Sequence, residues 1–343
     1  MSNLEMNTVA TKEAIIDCFK AKVVPMVTGS PGIGKSSIVN QIAKDFNLQV
    51  IDLRLSQSDP TDLNGFPTVN EKTGKAGYIP METFPLATDA LPAGKDGWIL
   101  FLDEFNSAPR AVQAASYKLV LDRAVGTHKL HENVMIVCAG NKETDNAIVN
   151  EMSTAMQSRM VHLELGVDHE AWVAWAETSN VDHRVVSYIK FKPTNLFMFN
   201  PDHQDKTFAC PRTWEFVSNL IKNIPLDIPR NKTNILAGAV GEGAGREFMG
   251  FCKIYKDLPT IQQILANPLG LKIPEEPSQL YAISGSLGTH AKDSTIDALM
   301  QYVKRLPVEF QMITLQNFVR KDKSLMLHKA VTDWVNESAI SLF

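Results

Sequence analysis

Short apolar runs alternate with amphipathic stretches through the first half of the chain. Five runs are rich in branched residues, as expected of strands buried on both faces of a sheet: residues 23–28, 49–55, 98–102, 134–139 and 160–165. Segments 36–46 and 109–122 have helical spacing, and Pro109 suits the first turn of the second helix. This alternation predicts an α/β fold, an αβα sandwich around a parallel five-stranded sheet.

The pattern changes after about residue 166, where helical segments follow one another without strands. The predicted helices cover residues 168–178, 181–191, 213–223, 233–256, 278–290, 293–305 and 324–336. Several of them open with an Asp, Ser or Thr that can cap the first turn. We predict three domains: an α/β domain over residues 1–165, a helical lid over 166–260 and a helical C-terminal extension over 261–343.

Composition indicates in which compartment the protein is found and which classes of partner it can bind. With 343 residues, 44% of them hydrophobic, and a net charge of −4, the chain has no global attraction for nucleic acid or anionic membranes. Its 4 cysteines are scattered, which argues against a disulfide framework. The first fifteen residues lack the features of a signal peptide, and no apolar run is long enough to span a bilayer. We expect a cytoplasmic protein with no membrane partner.

A phosphate-binding motif follows the first predicted strand. Residues 29–36 read Gly-Ser-Pro-Gly-Ile-Gly-Lys-Ser and fit the pattern G-x-x-x-x-G-K-[ST] in full. Glycines let the backbone approach a polyphosphate, and successive N–H groups can then donate to its oxygens. Lys35 would lie against the β- and γ-phosphates of ATP, and the Ser36 hydroxyl would ligate Mg²⁺. The predicted nucleotide-binding residues are Gly29, Ser30, Pro31, Gly32, Ile33, Gly34, Lys35, Ser36 and Ser37.

Two later strands end in polar side chains. The run 98–102 is followed by Asp103 and Glu104, and the run 134–139 by Gly140 and Asn141. Ligands bind beyond the carboxyl ends of strands in open α/β sheets, so these side chains are expected to face the same crevice. We predict that Asp103 holds hydrated Mg²⁺, that Glu104 polarises the attacking water, and that Asn141 orients that water or contacts the γ-phosphate. A strand-end Asn that only forms a turn is the alternative for Asn141.

Two arginines complete the candidate set. Arg159 immediately precedes the run 160–165, and Arg212 opens a helix of the second half in the sequence Cys-Pro-Arg. A planar guanidinium stabilises the charge that develops on a transferring phosphoryl group. Taken alone, each would be a surface arginine that forms a salt bridge.

Taken in order, these landmarks resemble the AAA+ ATPases, and within them the MoxR-like, dynein-related branch. The resemblance covers about residues 6–260. Residues 29–36 look like Walker A, 100–104 like Walker B and Asn141 like sensor 1, while Arg159 matches the arginine finger and Arg212 resembles sensor 2. The stretch 103–109 departs from the family pattern at Ser107, where an arginine is usual. That departure leaves open whether Arg110 supplies the missing charge.

The resemblance implies a P-loop NTPase that assembles as a hexameric ring, in which Arg159 reaches the nucleotide site of a neighbouring copy. It also implies that residues 66–80 form a hairpin facing the central pore, with Phe66, Lys75 and Tyr78 as residues to test; Thr73 and Gly74 would supply its turn. Members of this branch act on protein partners, commonly ones that carry a von Willebrand A domain. We therefore expect ATP hydrolysis coupled to remodelling of a protein substrate or adaptor.

Two other functions remain open from the sequence. One is a nucleic-acid motor or a nucleotide-gated restriction-type subunit that prefers GTP. Nucleic acid is not indicated, because the chain shows no zinc finger or basic helix to bind it. The other is a scaffold that senses nucleotide without hydrolysing it, which fits poorly with the presence of both Glu104 and Asn141.

Overall fold

The structure, a computed structural model, describes residues 5–69, 71–72, 74–145, 149–202, 205–226 and 228–342, with side chains described as far as residue 337. The described residues fall into two compact units. Their boundary lies between Asp168 and His169, and Asn200–Asp202 belongs to the first unit. The predicted division into three domains, with its second boundary at residue 260, stays a prediction.

The first unit contains all the described strands and five helices among the described residues. Its strands are β1 (Glu5–Met6), β2 (Val24–Thr28), β3 (Leu48–Arg54), β4 (Phe66–Val69), β5 (Ala76–Ile79), β6 (Gly97–Asp103), β7 (Ala124–Val125), β8 (His128–Lys129), β9 (Val134–Gly140) and β10 (Met160–Leu165). Its helices are α1 (Thr8–Ala21), α2 (Lys35–Asp45), α3 (Pro60–Asn64), α4 (Arg110–Asp122) and α5 (Thr154–Gln157).

Six of these strands form one parallel sheet in the described part of the chain, in the spatial order β1, β10, β2, β9, β6, β3. β6 and β9 lie inside it and are buried along nearly their whole length, which explains why both read as unbroken apolar runs. Helices flank the sheet. α2, for example, buries Ile38 and Ile42 one turn apart on a single face.

The prediction of a P-loop α/β sandwich is confirmed, but the prediction of five strands is wrong by one. The sixth strand, β1, has only two residues, which is too short to produce a periodic pattern. Its pairing is parallel, with Glu5 opposite Glu164 and Met6 opposite Leu165. Lys142 bridges the two carboxylates, with its Nζ 3.1 Å from Glu5 and 2.8 Å from Glu164. Tertiary contacts therefore hold this strand in place, and no local sequence pattern predicts it.

The second unit is helical throughout its described residues. Its helices are α6 (His169–Thr178), α7 (His183–Phe191), α8 (Pro211–Ile221), α9 (Thr233–Val240), α10 (Glu242–Lys253), α11 (Ile261–Ala266), α12 (Pro277–His290), α13 (Ile296–Val303), α14 (Val308–Lys321) and α15 (Lys329–Leu342). Tyr188, Trp214 and Phe248 pack together at its core, with ring centroids 5.4–5.6 Å apart. No helix in the described part of the chain combines the length and apolarity that crossing a membrane requires.

The helix predicted over residues 233–256 is two helices. Gly241 lies between α9 and α10 with φ of 91°, a left-handed value that a continuing helix does not allow. Beyond it, Gly245 packs against α9 so closely that a Cβ there would lie 2.7 Å from the Cα of Ala237. The glycines in this segment thus mark a turn and a close helix crossing, whereas the hydrophobic pattern runs through both helices. Five described helices were not predicted: α1, α3, α5, α11 and α14.

A buried ion pair links α7 to the end of α8. Arg184 is 2% exposed and binds Asp182 through two hydrogen bonds, Nε to Oδ1 at 2.9 Å and Nη2 to Oδ2 at 2.8 Å. Its guanidinium also donates to the carbonyls of Ile221 and Pro225, at 2.7 and 2.8 Å. Burial by itself raises the pKa of the Asp182 carboxyl, but the hydrogen bonds and charge of Arg184 and the charge of His183 outweigh it. The pKa of Asp182 therefore lies below its ordinary value.

We expect Asp182→Asn to lower the free energy of unfolding of the second unit by about 3 kcal/mol at pH 7, because it leaves Arg184 buried without a counter-charge. The contribution of a carboxylate with a depressed pKa is fully present above its unfolded pKa of about 3.9 and is lost as pH falls through the folded value. The difference between wild type and variant should therefore shrink below about pH 4. Urea unfolding at several pH values measures it. The exposed Asp257→Asn is the control, and an Asp182→Asn variant as stable as wild type at pH 7 contradicts the expectation.

Candidate functional site

The loop between β2 and α2 has the backbone needed to surround an anion. Gly32 and Gly34 adopt φ of 75° and 108°, values that side chains other than glycine rarely tolerate. The first hydrogen bond inside α2 runs from Ile38 N to Gly34 O at 3.0 Å. An N–H group of the first turn, such as that of Ser36, therefore does not bond to a carbonyl of its own helix. A helix N-terminus of this kind attracts phosphate.

The Lys35 ammonium connects this loop to the end of β9. Its Nζ donates to the carbonyl oxygens of Gly29 at 2.5 Å and Ser30 at 3.1 Å, and to Oδ1 of Asn141 at 3.2 Å. The structure thus brings together two of the predicted site residues, which are separated by 106 positions in the sequence. The meeting follows from the topology, because β9 pairs directly with β2.

The two carboxylates at the end of β6 are held in different ways. Glu104 adopts a left-handed conformation with φ of 55°, which is strained for a residue with a side chain, and its N–H donates to Asp103 Oδ1 at 2.8 Å. The Ser56 hydroxyl donates a hydrogen bond to Glu104 Oε2. Ser56 could not be recognised from the sequence, because 48 residues separate it from Glu104.

Negative charge accumulates beside these residues. Asp52 lies on β3, the neighbour of β6, and its pKa is raised first by burial and then by the charge of Asp103. Arg54 offsets part of this effect and Glu104 adds a smaller part to it. Carboxylate and hydroxyl oxygens are the ligand type that Mg²⁺ prefers. The residues present therefore suit a hard divalent cation. Nothing in the sequence indicated that Asp52 lies beside Asp103, because the two residues are on different strands.

These residues do not form a metal site made of protein groups alone. Within the described ranges, no group of three or more His, Cys, Asp or Glu side chains is arranged to hold a metal ion. Mg²⁺ typically binds through one or two protein oxygens together with substrate phosphates and water. Asp103 and Ser36 could supply the one or two protein oxygens of such a site. They are too few to bind the metal without phosphates and water.

An amide pair lies next to this charged region. The side chain of Asn106, 4% exposed, donates from Nδ2 to Asn141 O at 2.7 Å and accepts from Asn141 N at Oδ1 at 3.1 Å. Asn106 follows Glu104 by two residues, in a 3₁₀ turn over Phe105–Ser107. Asn106 belongs to the stretch 103–109 that resembles the family pattern, but the sequence did not indicate a role for it.

Arg159 is placed away from the phosphate-binding loop. It precedes β10, whose first residue Met160 lies beside Val24, the first residue of β2. The loop follows the last residue of β2, about 16 Å further along the strand at 3.3 Å per residue. Arg159 is exposed, and its Nη1 donates to Ala155 O at 2.7 Å. The structure therefore does not bring Arg159 to the loop of its own chain.

Two predicted features remain, Arg212 and the hairpin. Arg212 is exposed near the start of α8 in the second unit, and its part in a nucleotide site stays a prediction. β4 and β5 pair antiparallel as a hairpin, with Phe66 opposite Ile79. Asn70 and Thr73, part of the predicted hairpin, lie outside the described residues. The hairpin exposes large apolar side chains: Phe66 (60%), Val69 (66%), Tyr78 (48%) and Ile79 (57%).

Part of the chain matches a known protein family, and most of the chain is similar to solved structures. Residues 25–160 match the family model described as an AAA domain of the dynein-related subfamily. A candidate ATPase of Cytophaga hutchinsonii is 14% identical, with 97% of this chain and 88% of that chain covered and a TM-score of 0.36. A point mutant of RuvB from Thermotoga maritima is 15% identical, with 81% of each chain covered and a TM-score of 0.40.

Proposed function

Residues 25–160 constitute an AAA domain of the dynein-related subfamily, and on this premise we propose that the chain is a magnesium-dependent ATPase. Nucleotide binding and ATP hydrolysis are the properties of this family. The observation that carries the proposal is the hydrogen bond from Lys35 Nζ to Asn141 Oδ1 at 3.2 Å, since it joins the phosphate-binding loop to the polar strand ends. We propose residues 1–165 as the nucleotide-binding domain, 166–260 as its lid and 261–343 as an extension.

Each residue of the proposed site has a physical task. The backbone N–H groups of residues 32–37 donate to the phosphate oxygens, and the Lys35 ammonium exchanges its carbonyl partners for the β- and γ-phosphates. Ser36 and Asp103 would hold Mg²⁺, which supplies positive charge against the phosphates when bound. Glu104 accepts a proton from the attacking water, and the Asn141 amide orients that water. Arg212 would contact the phosphates from the lid.

Assembly into a ring, with six copies as the proposed number, would complete the site. Transfer of the γ-phosphoryl group needs a cation on its equatorial oxygens, and Arg159 lies about 16 Å of strand away from the loop of its own chain. The Arg159 side chain is exposed just before β10 begins. We propose that it serves the site of an adjacent copy, so that hydrolysis depends on assembly.

The proposed output is the remodelling of a protein partner. The β4–β5 hairpin exposes four large apolar side chains, an arrangement suited to gripping an unfolded or extended polypeptide. A partner that carries a von Willebrand A domain is the class we propose as adaptor or substrate.

Lys35→Ala tests the proposed nucleotide site directly. Removal of the ammonium should weaken Mg-ATP binding about 100-fold, because charged hydrogen bonds contribute about 1.5–3 kcal/mol and each 1.4 kcal/mol corresponds to a factor of ten. Isothermal titration calorimetry measures the Kd. The matched control is Lys44→Ala, an exposed lysine in the last turn of the same helix. Equal affinities for the two variants would exclude Lys35 from nucleotide binding.

A further inference from the structure

The side chain of Asn106 forms two hydrogen bonds with the backbone of a single residue. Its Nδ2 donates to Asn141 O and its Oδ1 accepts from Asn141 N, at 2.7 and 3.1 Å. This is the pattern of bonds that a neighbouring strand would supply, reproduced by one amide. Because Asn106 is 4% exposed, water does not compete for either bond. The backbone of Asn141, at the end of β9, is therefore fixed by a residue that follows β6.

The residues around Asn106 restrict where its side chain can lie. A Cβ on Gly140 would lie 2.2 Å from Asn106 Oδ1, so a larger residue before Asn141 would displace the amide. On its other side, the backbone of Asn106 accepts a hydrogen bond from Asn150 N at 2.6 Å. Asn150 Nδ2 in turn donates to Ala108 O at 2.9 Å. The 3₁₀ turn that carries Asn106 is therefore anchored independently of Asn141.

We infer that Asn106 is a positioning residue for hydrolysis, which fixes the Asn141 amide relative to Glu104 through the two backbone hydrogen bonds. Glu104 lies two residues before Asn106, and the Asn141 side chain contacts Lys35. The side chain that is proposed to prime water and the one that is proposed to orient it are thereby held in one rigid arrangement. Small displacements of reacting groups are costly in rate, while the binding of phosphates by the loop is left unaffected. This inference rests on the proposed function.

Asn106→Asp separates positioning from a merely structural role. A carboxylate at this position still accepts from Asn141 N but cannot donate to Asn141 O. Its protonated form makes both bonds again, because the acid O–H replaces the amide N–H as donor. Burial raises the pKa of a carboxyl group, so the repair should occur within the pH range in which the enzyme can be assayed.

The experiment measures steady-state ATP hydrolysis by Asn106→Asp and wild type between pH 6 and pH 8.5. We expect kcat to fall about 30-fold at pH 8, with KM for ATP within about threefold of wild type. The ratio of variant to wild-type kcat should rise by up to about tenfold for each pH unit lowered until the introduced carboxyl is protonated. The charged and titratable groups that line a cavity with Asn106 and Asn141 are Lys142, Glu143, His162 and Glu164, and Lys35 contacts Asn141. All of them are present in both proteins, so the ratio of the two rates cancels their own titration.

Asn47→Asp is the matched control, because it also removes an amide donor from a backbone carbonyl, that of Gly94, but at an exposed position outside the proposed site. Its kcat should stay within about threefold of wild type at every pH. Three results would overturn the inference: unchanged kcat in Asn106→Asp, a loss that does not depend on pH, or an equal loss in Asn47→Asp. If Asn106→Asp does not fold, Gly140→Ala displaces the same amide, and an unchanged kcat there overturns the inference equally. Absence of hydrolysis by wild type would instead count against the proposed function.

Discussion

Glu104→Gln is expected to lower kcat for ATP hydrolysis about 1000-fold and to leave the Kd of Mg-ATP within about threefold. The amide has the shape of the carboxylate and can still accept a hydrogen bond from Ser56, so the local structure is kept. It cannot accept a proton from water at neutral pH. Removal of the general base should therefore affect the chemical step and not binding.

Phosphate release and calorimetric titration of the same preparation separate the two effects. Glu132→Gln is the control, since it makes the same change at an exposed position outside the proposed site. Normal turnover by Glu104→Gln would remove Glu104 from the mechanism. A parallel loss of binding would assign it a structural role instead.

Arg159→Ala is expected to reduce hydrolysis about 1000-fold, as removal of an arginine that stabilises phosphoryl transfer does. Its distance from the loop of its own chain means that it should act on an adjacent copy. Arg159→Ala and Glu104→Gln should then complement each other when mixed. The first supplies an intact site and the second an intact arginine, so about a quarter of the interfaces in a randomly mixed closed ring would be complete.

The measurement compares phosphate release by the two variants alone and after equimolar mixing. Recovery on mixing supports the transfer of Arg159 between copies. If both variants are inactive and mixing restores nothing, although the copies exchange, Arg159 does not act between copies in this way. Arg246→Ala, a change of an exposed arginine on α10, should behave as wild type alone and in mixtures.

Strands and helices could be predicted from the sequence where a local hydrophobic pattern marks them. Five of the six strands in the parallel sheet were recognised from their apolar residues. β6 and β9 are buried nearly throughout, whereas the prediction of burial on both faces is wrong for β3 and β10, which have exposed residues. β1 left no apolar run, since pairing with Glu164 and Leu165 and the charge of Lys142 hold its two residues in place. Gly241 illustrates the opposite case. The hydrophobic pattern of α9 and α10 is continuous across it, and only the backbone conformation reveals the break.

The phosphate-binding loop could be predicted because its chemistry requires particular residue types at fixed spacing. The side chains that contact the acidic strand end and Asn141 could not be predicted in this way. Ser56 contacts Glu104 across 48 residues and Asn106 contacts Asn141 across 35, so these contacts depend on which strands lie side by side. With β9 between β2 and β6, Asn141 lies between the loop on one side and the acidic strand end on the other. A sequence without its strand order does not contain that information.

The central claim is that the loop over residues 29–37 holds a nucleoside triphosphate while Asp103 and Glu104 direct water at it. Phosphate release from ATP by the purified wild-type chain, with and without magnesium, tests this claim most directly. The account predicts steady release that requires magnesium and stops when a chelator is added. Release that is absent, or that proceeds equally well without a divalent cation, would contradict it.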